Sequence, residues 1–225
     1  MLGHPVVDRQ RPERQVRDRR AERRQATKAE IIETSWAVVR EEGLAGLNLR
    51  DLANRVGMRA PSLYEYFPSK HAIYDAMFAE AYRQFGAVID TLVSRPGLEG
   101  LRSGAKQVLD FMVAEPARFS LLFQRTIPGF EPSAESYELA TEVFERTRTW
   151  FVDNVTDDDG ALDMFTALTT GLASQQLAND PGGDRWTRLV DAAVAMFVAH
   201  ITTSGGTQPA PHDSGAGRAG EEDRQ

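Results

Sequence analysis

The chain has 225 residues, no cysteine, 41% hydrophobic and 26% charged residues, and a net charge of −7. That is the composition of an ordinary globular protein with room for a substantial core, and it excludes disulfides, thiolate metal sites and cysteine nucleophiles. The longest apolar run, residues 189–201, is too short to span a bilayer and contains Asp191. No membrane partner is therefore expected. No apolar stretch near the start marks export, so a cytoplasmic protein is expected.

The periodicity is helical almost throughout. Residues 1–26 form a basic arm expected to be disordered, and nine Lys/Arg stand against four acids over residues 1–28. The acidic body makes this end either a solvated arm or a surface for a polyanion. Thr27 with Glu30 fits a capping box that starts a first helix. Ile32, Trp36 and Val39 form its apolar stripe and Gly43 stops it. A second helix starts at Asn48 as N-cap, runs through Leu52 and Val56, and stops at Gly57. A third covers Arg59 to Phe67, before Pro68. The fourth is long, capped by Ser69, with Ile73, Met77, Ala81, Phe85, Val88 and Leu92 on one face. Pro96-Gly97 punctuates the chain before a fifth helix through Met112 and a short sixth from Phe119 to Phe123. A loop at 126–133 leads to a seventh helix, Ser133 to Asn154. The eighth ends near Ala178, and the ninth follows the turn 179–184 and reaches Ile201. No stretch alternates at period two, so the predicted class is all-α with about nine helices. The expected organisation is an arm (1–26), a helix-turn-helix domain (27–72), a helical ligand-binding and dimerisation domain (73–203) and a disordered tail (204–225).

Two short helices around the turn Val56-Gly57-Met58, preceded by a packing helix, have the dimensions of a helix-turn-helix. Gly57 supplies the left-handed backbone such a turn needs. Leu63 and Phe67, four apart, point inward, which leaves Ser62, Tyr64, Glu65 and Tyr66 outward or lateral. Exposed tyrosines suit a surface where a ring packs on sugar and its hydroxyl reaches phosphate. Lys70 opens the next helix, where free N–H groups already favour an anion.

The run NLRDLANRVGMRAPSLYEYFPSKHAIYDAMF (48–78) resembles the DNA-binding domain of the tetracycline-repressor (TetR) family of bacterial transcription regulators. The resemblance is carried by the L-A-x-x-V-G turn, the L-Y-x-Y-F end of the recognition helix and the P-S-K that follows. It implies a recognition helix with Arg59, Ala60, Ser62, Tyr64 and Tyr66 at base or phosphate contacts. Arg50 and Lys70 match phosphate-contacting positions, Thr27 and Lys28 lie near the DNA backbone, and the arm before them is placed to enter the minor groove. Arg59 stands where the family usually has Ser or Thr, so the recognition helix loses its usual N-cap. Pro61 replaces a small residue but is tolerated in a first turn. The family also implies a repressor.

Gly171 and Ser174 on the eighth helix, and Ala192, Ala195 and Ala199 on the ninth, form small faces suited to a two-fold four-helix interface; packing within one chain is the alternative. A homodimer presents two recognition helices to double-stranded DNA, so the expected operator is a palindrome. Phe111, Met112, Phe119, Phe123, Tyr137, Phe144, Trp150 and Phe165 are either core or the lining of a pocket for a small apolar effector. No metal-ligand spacing, phosphate loop, dinucleotide fingerprint or nucleophile elbow occurs, so neither cofactor, metal nor catalysis is expected. The alternatives are a DNA-binding regulator without effector and, more remotely, a cofactor-free helical enzyme.

Overall fold

The computed structural model describes residues 11–204; among them are nine α-helices and one short 3-10 turn, with no strand, and the fold is all-α. The helices are α1 (Arg11–Gly46), α2 (Leu49–Arg55), α3 (Ala60–Tyr64), α4 (Lys70–Val93) and α5 (Gly97–Ala114). They continue as α6 (Pro116–Phe123), α7 (Ala134–Asn154), α8 (Asp159–Asn179) and α9 (Val190–Ser204), the last preceded by the 3-10 turn Thr187–Leu189.

The first helix departs from expectation. It begins at Arg11, not at Thr27, so residues 11–26 are helical rather than an arm without structure. The reason is local: Arg, Glu, Gln and Ala dominate residues 19–26 and are among the best helix formers. Thr27 therefore sits inside the helix, where its Oγ1 donates to the Arg23 carbonyl at 3.0 Å, and no capping box forms with Glu30. Residues 1–10, and the tail expected after Ser204, lie outside the described residues. At the other end Gly43, with φ 74° and ψ 169°, interrupts the helix where a stop is expected.

Other local signals act as expected. Asn48 Oδ1 accepts from the backbone N–H groups of Arg50 (2.8 Å) and Asp51 (3.4 Å), capping α2. Ser69 Oγ accepts from Ala72 N–H at 3.1 Å, and Ser133 Oγ from Ser136 N–H at 3.2 Å, fixing the starts of α4 and α7.

Two apolar clusters organise the chain. The first joins Ile31, Trp36, Val38, Leu52, Leu63, Phe67, Ile73, Tyr74 and Met77, and reaches Leu121 and Leu122 of α6. The second joins Ile89 and Leu92 to Leu101, Leu109, Trp150, Phe151, Phe165, Val194 and Phe197. α4 runs through both: its first half belongs to the first cluster, and its second half packs on α5 and α7. Between α8 and α9 the buried amide oxygen of Gln176 accepts from Trp186 N–H (2.8 Å) and Thr187 N–H (3.3 Å), which fixes the turn. No helix among the described residues is long and apolar enough to cross a membrane.

Candidate nucleic-acid interface

The turn between α2 and α3 is closed by Val56 N–H to Leu52 C=O (3.0 Å), Gly57 N–H to Asn54 C=O (3.1 Å) and Met58 N–H to Ala53 C=O (2.9 Å). Gly57 has φ 75°, and nothing lies within 4 Å of where its Cβ would stand, so glycine is required there by backbone conformation and not by space. Leu63 is fully buried and Phe67 nearly so. They hold α3 against α1 and α2, and hydrogen bonds from Tyr66 N–H and Phe67 N–H to Leu63 C=O extend the turn beyond Tyr64. Arg59 occupies the N-cap position without a side-chain cap bond, and Pro61 lies in the first turn.

The residues expected on the DNA side follow from that anchoring. Tyr64 is 50% exposed, Arg59 and Arg50 are exposed, and Ala60, Ser62 and Tyr66 are half-buried. Lys28 lies half-buried on α1 with its Nζ 5.6 Å from the Phe67 ring centre, and Thr27 is half-buried beside it.

One residue of this surface escaped sequence reasoning. Arg24 donates from Nη2 to the Glu65 carbonyl at 2.7 Å, and its guanidinium lies 4.9 Å from the Tyr66 ring centre. It thus satisfies a carbonyl at the end of the recognition helix from the extended part of α1. Arg24 and Lys28, one turn apart, are the available signal once that stretch is taken as helix. Arg19, Arg20 and Arg23 continue the exposed basic surface upstream.

Arg55, by contrast, is committed to the fold. It pairs with Asp51 (2.8 Å), Glu41 (2.7 Å) and Glu42 (2.9 Å), and hydrogen bonding to Glu41 and then Asp51 raises its pKa. Lys70 is half-buried, donates to the Ala45 carbonyl at 2.9 Å and stands 5.5 Å from the Tyr74 ring centre; burial lowers its pKa.

In the helical body, Gly171, Ala192, Ala195 and Ala199 are exposed and Ser174 is half-buried, with Met164 (42%) and Met196 (63%) exposed alongside. The aromatic set expected around an effector is dispersed. Phe111 and Phe123 pack on Phe85 at ring separations of 5.3 and 5.5 Å, Phe119 packs on Phe123 at 5.7 Å, and Phe165 packs on Phe151 and Phe197. Met112 and Trp150 are buried, the latter donating Nε1–H to the Arg95 carbonyl at 3.0 Å. Phe144 is 48% exposed, and Tyr137, 60% exposed, lines a cavity of about 400 Å³ with Phe78, Tyr82, Leu121 and Phe130. A larger cleft of about 990 Å³ lies elsewhere, between α1, the first turn of α4, α6 and the loop that follows α6.

A recognition helix set outward on a buried leucine and phenylalanine, with basic residues at both its ends, defines a helix-turn-helix DNA-binding regulator. Comparison with known proteins narrows the class. Residues 31–77 match the family model for bacterial regulatory proteins of the tetR family. The tetracycline repressor protein class C of Escherichia coli is 41% identical over 51 residues, 23% of each chain. The HTH-type transcriptional regulator Rv1816 of Mycobacterium tuberculosis is 26% identical over 182 residues, covering 74% of this chain and 75% of that protein. Two solved structures share the fold. A TetR/AcrR-family transcriptional regulator from Thermobifida fusca has a TM-score of 0.56 at 20% identity, covering 76% of this chain and 96% of that one. The regulator FadR from Bacillus subtilis, in complex with stearoyl-CoA, has a TM-score of 0.58 at 16% identity, covering 77% and 98%. Residues 31–77 thus carry the DNA-binding region of the tetR family, and the chain as a whole is similar to TetR-family transcriptional regulators.

Proposed function

We propose that this regulator is a homodimeric repressor that occupies a palindromic operator and is released by a small effector with an apolar body. The observation that carries the reading is α3 itself: Leu63 and Phe67 are buried while Tyr64 and Arg59 face solvent next to Arg24 and Lys28. Arg59 reads a base edge, and Tyr64, Lys70, Arg50 and the α1 basic residues hold phosphates. Thr27, Ala60, Ser62 and Tyr66 complete the contact surface.

Dimerisation is supported by the exposed α8–α9 face, where glycine and alanines lie beside Met164 and Met196. Exposed apolar area of this kind is covered most economically by its own two-fold copy. Such a dimer sets two α3 helices about 34 Å apart, one DNA turn. Release is supported by α4, which carries Lys70 at one end and belongs to both apolar clusters. An apolar effector with a polar group is in keeping with the stearoyl-CoA bound by the similar fold of FadR.

The test is selection of bound duplexes from a random library by the folded dimer. The expected result is a palindrome with half-sites one turn apart. Recovery of no preferred sequence at low salt would overturn the reading.

A further inference from the structure

The cleft of about 990 Å³ lies at the joint between the DNA-binding helices and the body, not inside the body. Its volume is that of a small-molecule site. Its walls are apolar over Val39, Leu44, Pro116, Ala117, Ile127 and Pro128, and Lys70 and His71 line it where the first turn of α4 meets the end of α1. The one acid on the wall, Glu115, is neutralised. Arg40 Nε donates to both its oxygens (3.1 and 3.0 Å), and Arg118 stands 3.6 Å away. The fixed charge facing the cleft is therefore positive and comes from Lys70. That ammonium has three donors and spends one on a neutral carbonyl, Ala45, at 2.9 Å. An anion is a stronger partner than a carbonyl, because both members of the bond are then charged. Burial already disfavours the ammonium, as its lowered pKa records.

We propose that this cleft binds an amphipathic organic anion, with its apolar body on Ala117 and Ile127 and its acidic head on Lys70, and that the bound anion and operator phosphate exclude one another at that lysine. The inference rests on the reading of Lys70 as a phosphate contact, and it gives the effector a seat and a chemistry. Regulation then needs no relay through the body, because the ligand takes a DNA-contacting group directly. By linkage, the factor by which the anion weakens DNA binding equals the factor by which DNA weakens anion binding.

The probe is anilinonaphthalene sulfonate, an aromatic sulfonate whose fluorescence rises on transfer from water to an apolar site. Titration without DNA is expected to show a site that Lys70→Met weakens by about tenfold or more and that Ala117→Trp fills. Tyr137→Ala, in the separate 400 Å³ cavity, is expected to leave it unchanged. Thr126→Trp, at the exposed rim, is a second occluding variant should Ala117→Trp fail to fold. In the second arm, fluorescence anisotropy with duplex DNA is expected to show the probe weakening DNA binding in the parent protein but not in the occluded variant. Equal probe affinity in parent, Lys70→Met and an occluded variant would overturn the site. Probe held in the cleft with DNA affinity unchanged would overturn the exclusion. The first arm contains no DNA, so it stands or falls apart from the operator reading.

Discussion

Gly171→Trp separates the stability of one chain from the association of two. Gly171 is exposed on α8, and nothing lies within 4 Å of the position of an added Cβ. In a single chain the new side chain meets open space. Removing a glycine from a helix interior is itself favourable by about 0.5–1 kcal/mol relative to alanine. The thermal midpoint of an isolated chain is therefore expected to hold or rise slightly. If this face is the two-fold interface, the bulky ring is forced into a packed contact at about 1–3 kcal/mol. An isologous contact contains each substitution twice, so the total is about 2–6 kcal/mol, or roughly a 30-fold to 20,000-fold weaker dimer at about 1.4 kcal/mol per tenfold. Sedimentation velocity across a dilution series reads the dimer constant, and far-UV circular dichroism confirms that the helices persist. A folded variant with the parental dimer constant would refute the placement of the interface on this face.

In competition against randomised sites, Arg59→Ala is expected to relax preference at one base pair, with a loss of about 1–3 kcal/mol on the best site, whereas Tyr64→Ala weakens all sites alike; equal loss everywhere for both would remove the base-reading role of Arg59. Neutralising Arg19, Arg20 and Arg23 together, all exposed on the upstream turns of α1, is expected to shallow the slope of log K against log salt by about 0.9 for each phosphate that these arginines neutralise. An unchanged slope would show this part of the helix standing clear of DNA. Leu63→Ala, at a fully buried position, is expected to cost about 2–5 kcal/mol in denaturant unfolding and to lower DNA affinity with it. A cost under about 1 kcal/mol would mean that Leu63 is not the anchor of α3.

What is legible in the sequence is what short-range chemistry decides. Asn48, Gly57 and Ser69 act within three residues of themselves, and each does in the structure what its side chain or its lack of one predicts. The start of α1 is not legible in this way, because a Thr-x-x-Glu spacing is also found inside helices. The propensity of the arginine-rich run upstream outweighs the local cap, and the Thr27 hydroxyl turns back to the Arg23 carbonyl. The cleft leaves no trace because its parts are remote in sequence: Arg40 meets Glu115 across 75 residues and Lys70 meets Ala45 across 25. The aromatic residues of α5–α8 show the limit from the other side. Apolar character forecasts burial for Met112, Phe119, Trp150 and Phe165. It does not say which rings close on one another and which leave a space between them.

The coupling between body and DNA-binding helices can be sized from the joint at the start of α4. Two side chains of its first turns hold the end of α1: Lys70 donates to the Ala45 carbonyl, and the buried Tyr74 hydroxyl donates to the Leu44 carbonyl. Burial pushes the Tyr74 phenol up to about 12, so it remains a donor at physiological pH. The next residue, Asp75, accepts from the backbone N–H (2.7 Å) and hydroxyl (2.9 Å) of Ser133 just before α7, and further along α4 Glu80 accepts from Trp36 Nε1–H of α1 at 3.0 Å. α4 is thus gripped on the DNA-binding side and on the body side within three turns. Displacing its N-terminus relative to α1 breaks the Lys70 and Tyr74 bonds while those to Ser133 persist. The neutral Tyr74 bond is worth about 1 kcal/mol net and the charged Lys70 bond about 1.5–3 kcal/mol, so the pair sets a threshold of about 2.5–4 kcal/mol, from the upper end of the 1–3 kcal/mol typical of coupling between sites to just above it. A ligand that takes Lys70 removes one of the two restraints and supplies its own charge in exchange. Under the proposed exclusion at Lys70, this joint is the seat for control of DNA binding, because a single contact change there is comparable in energy to the switch it has to throw.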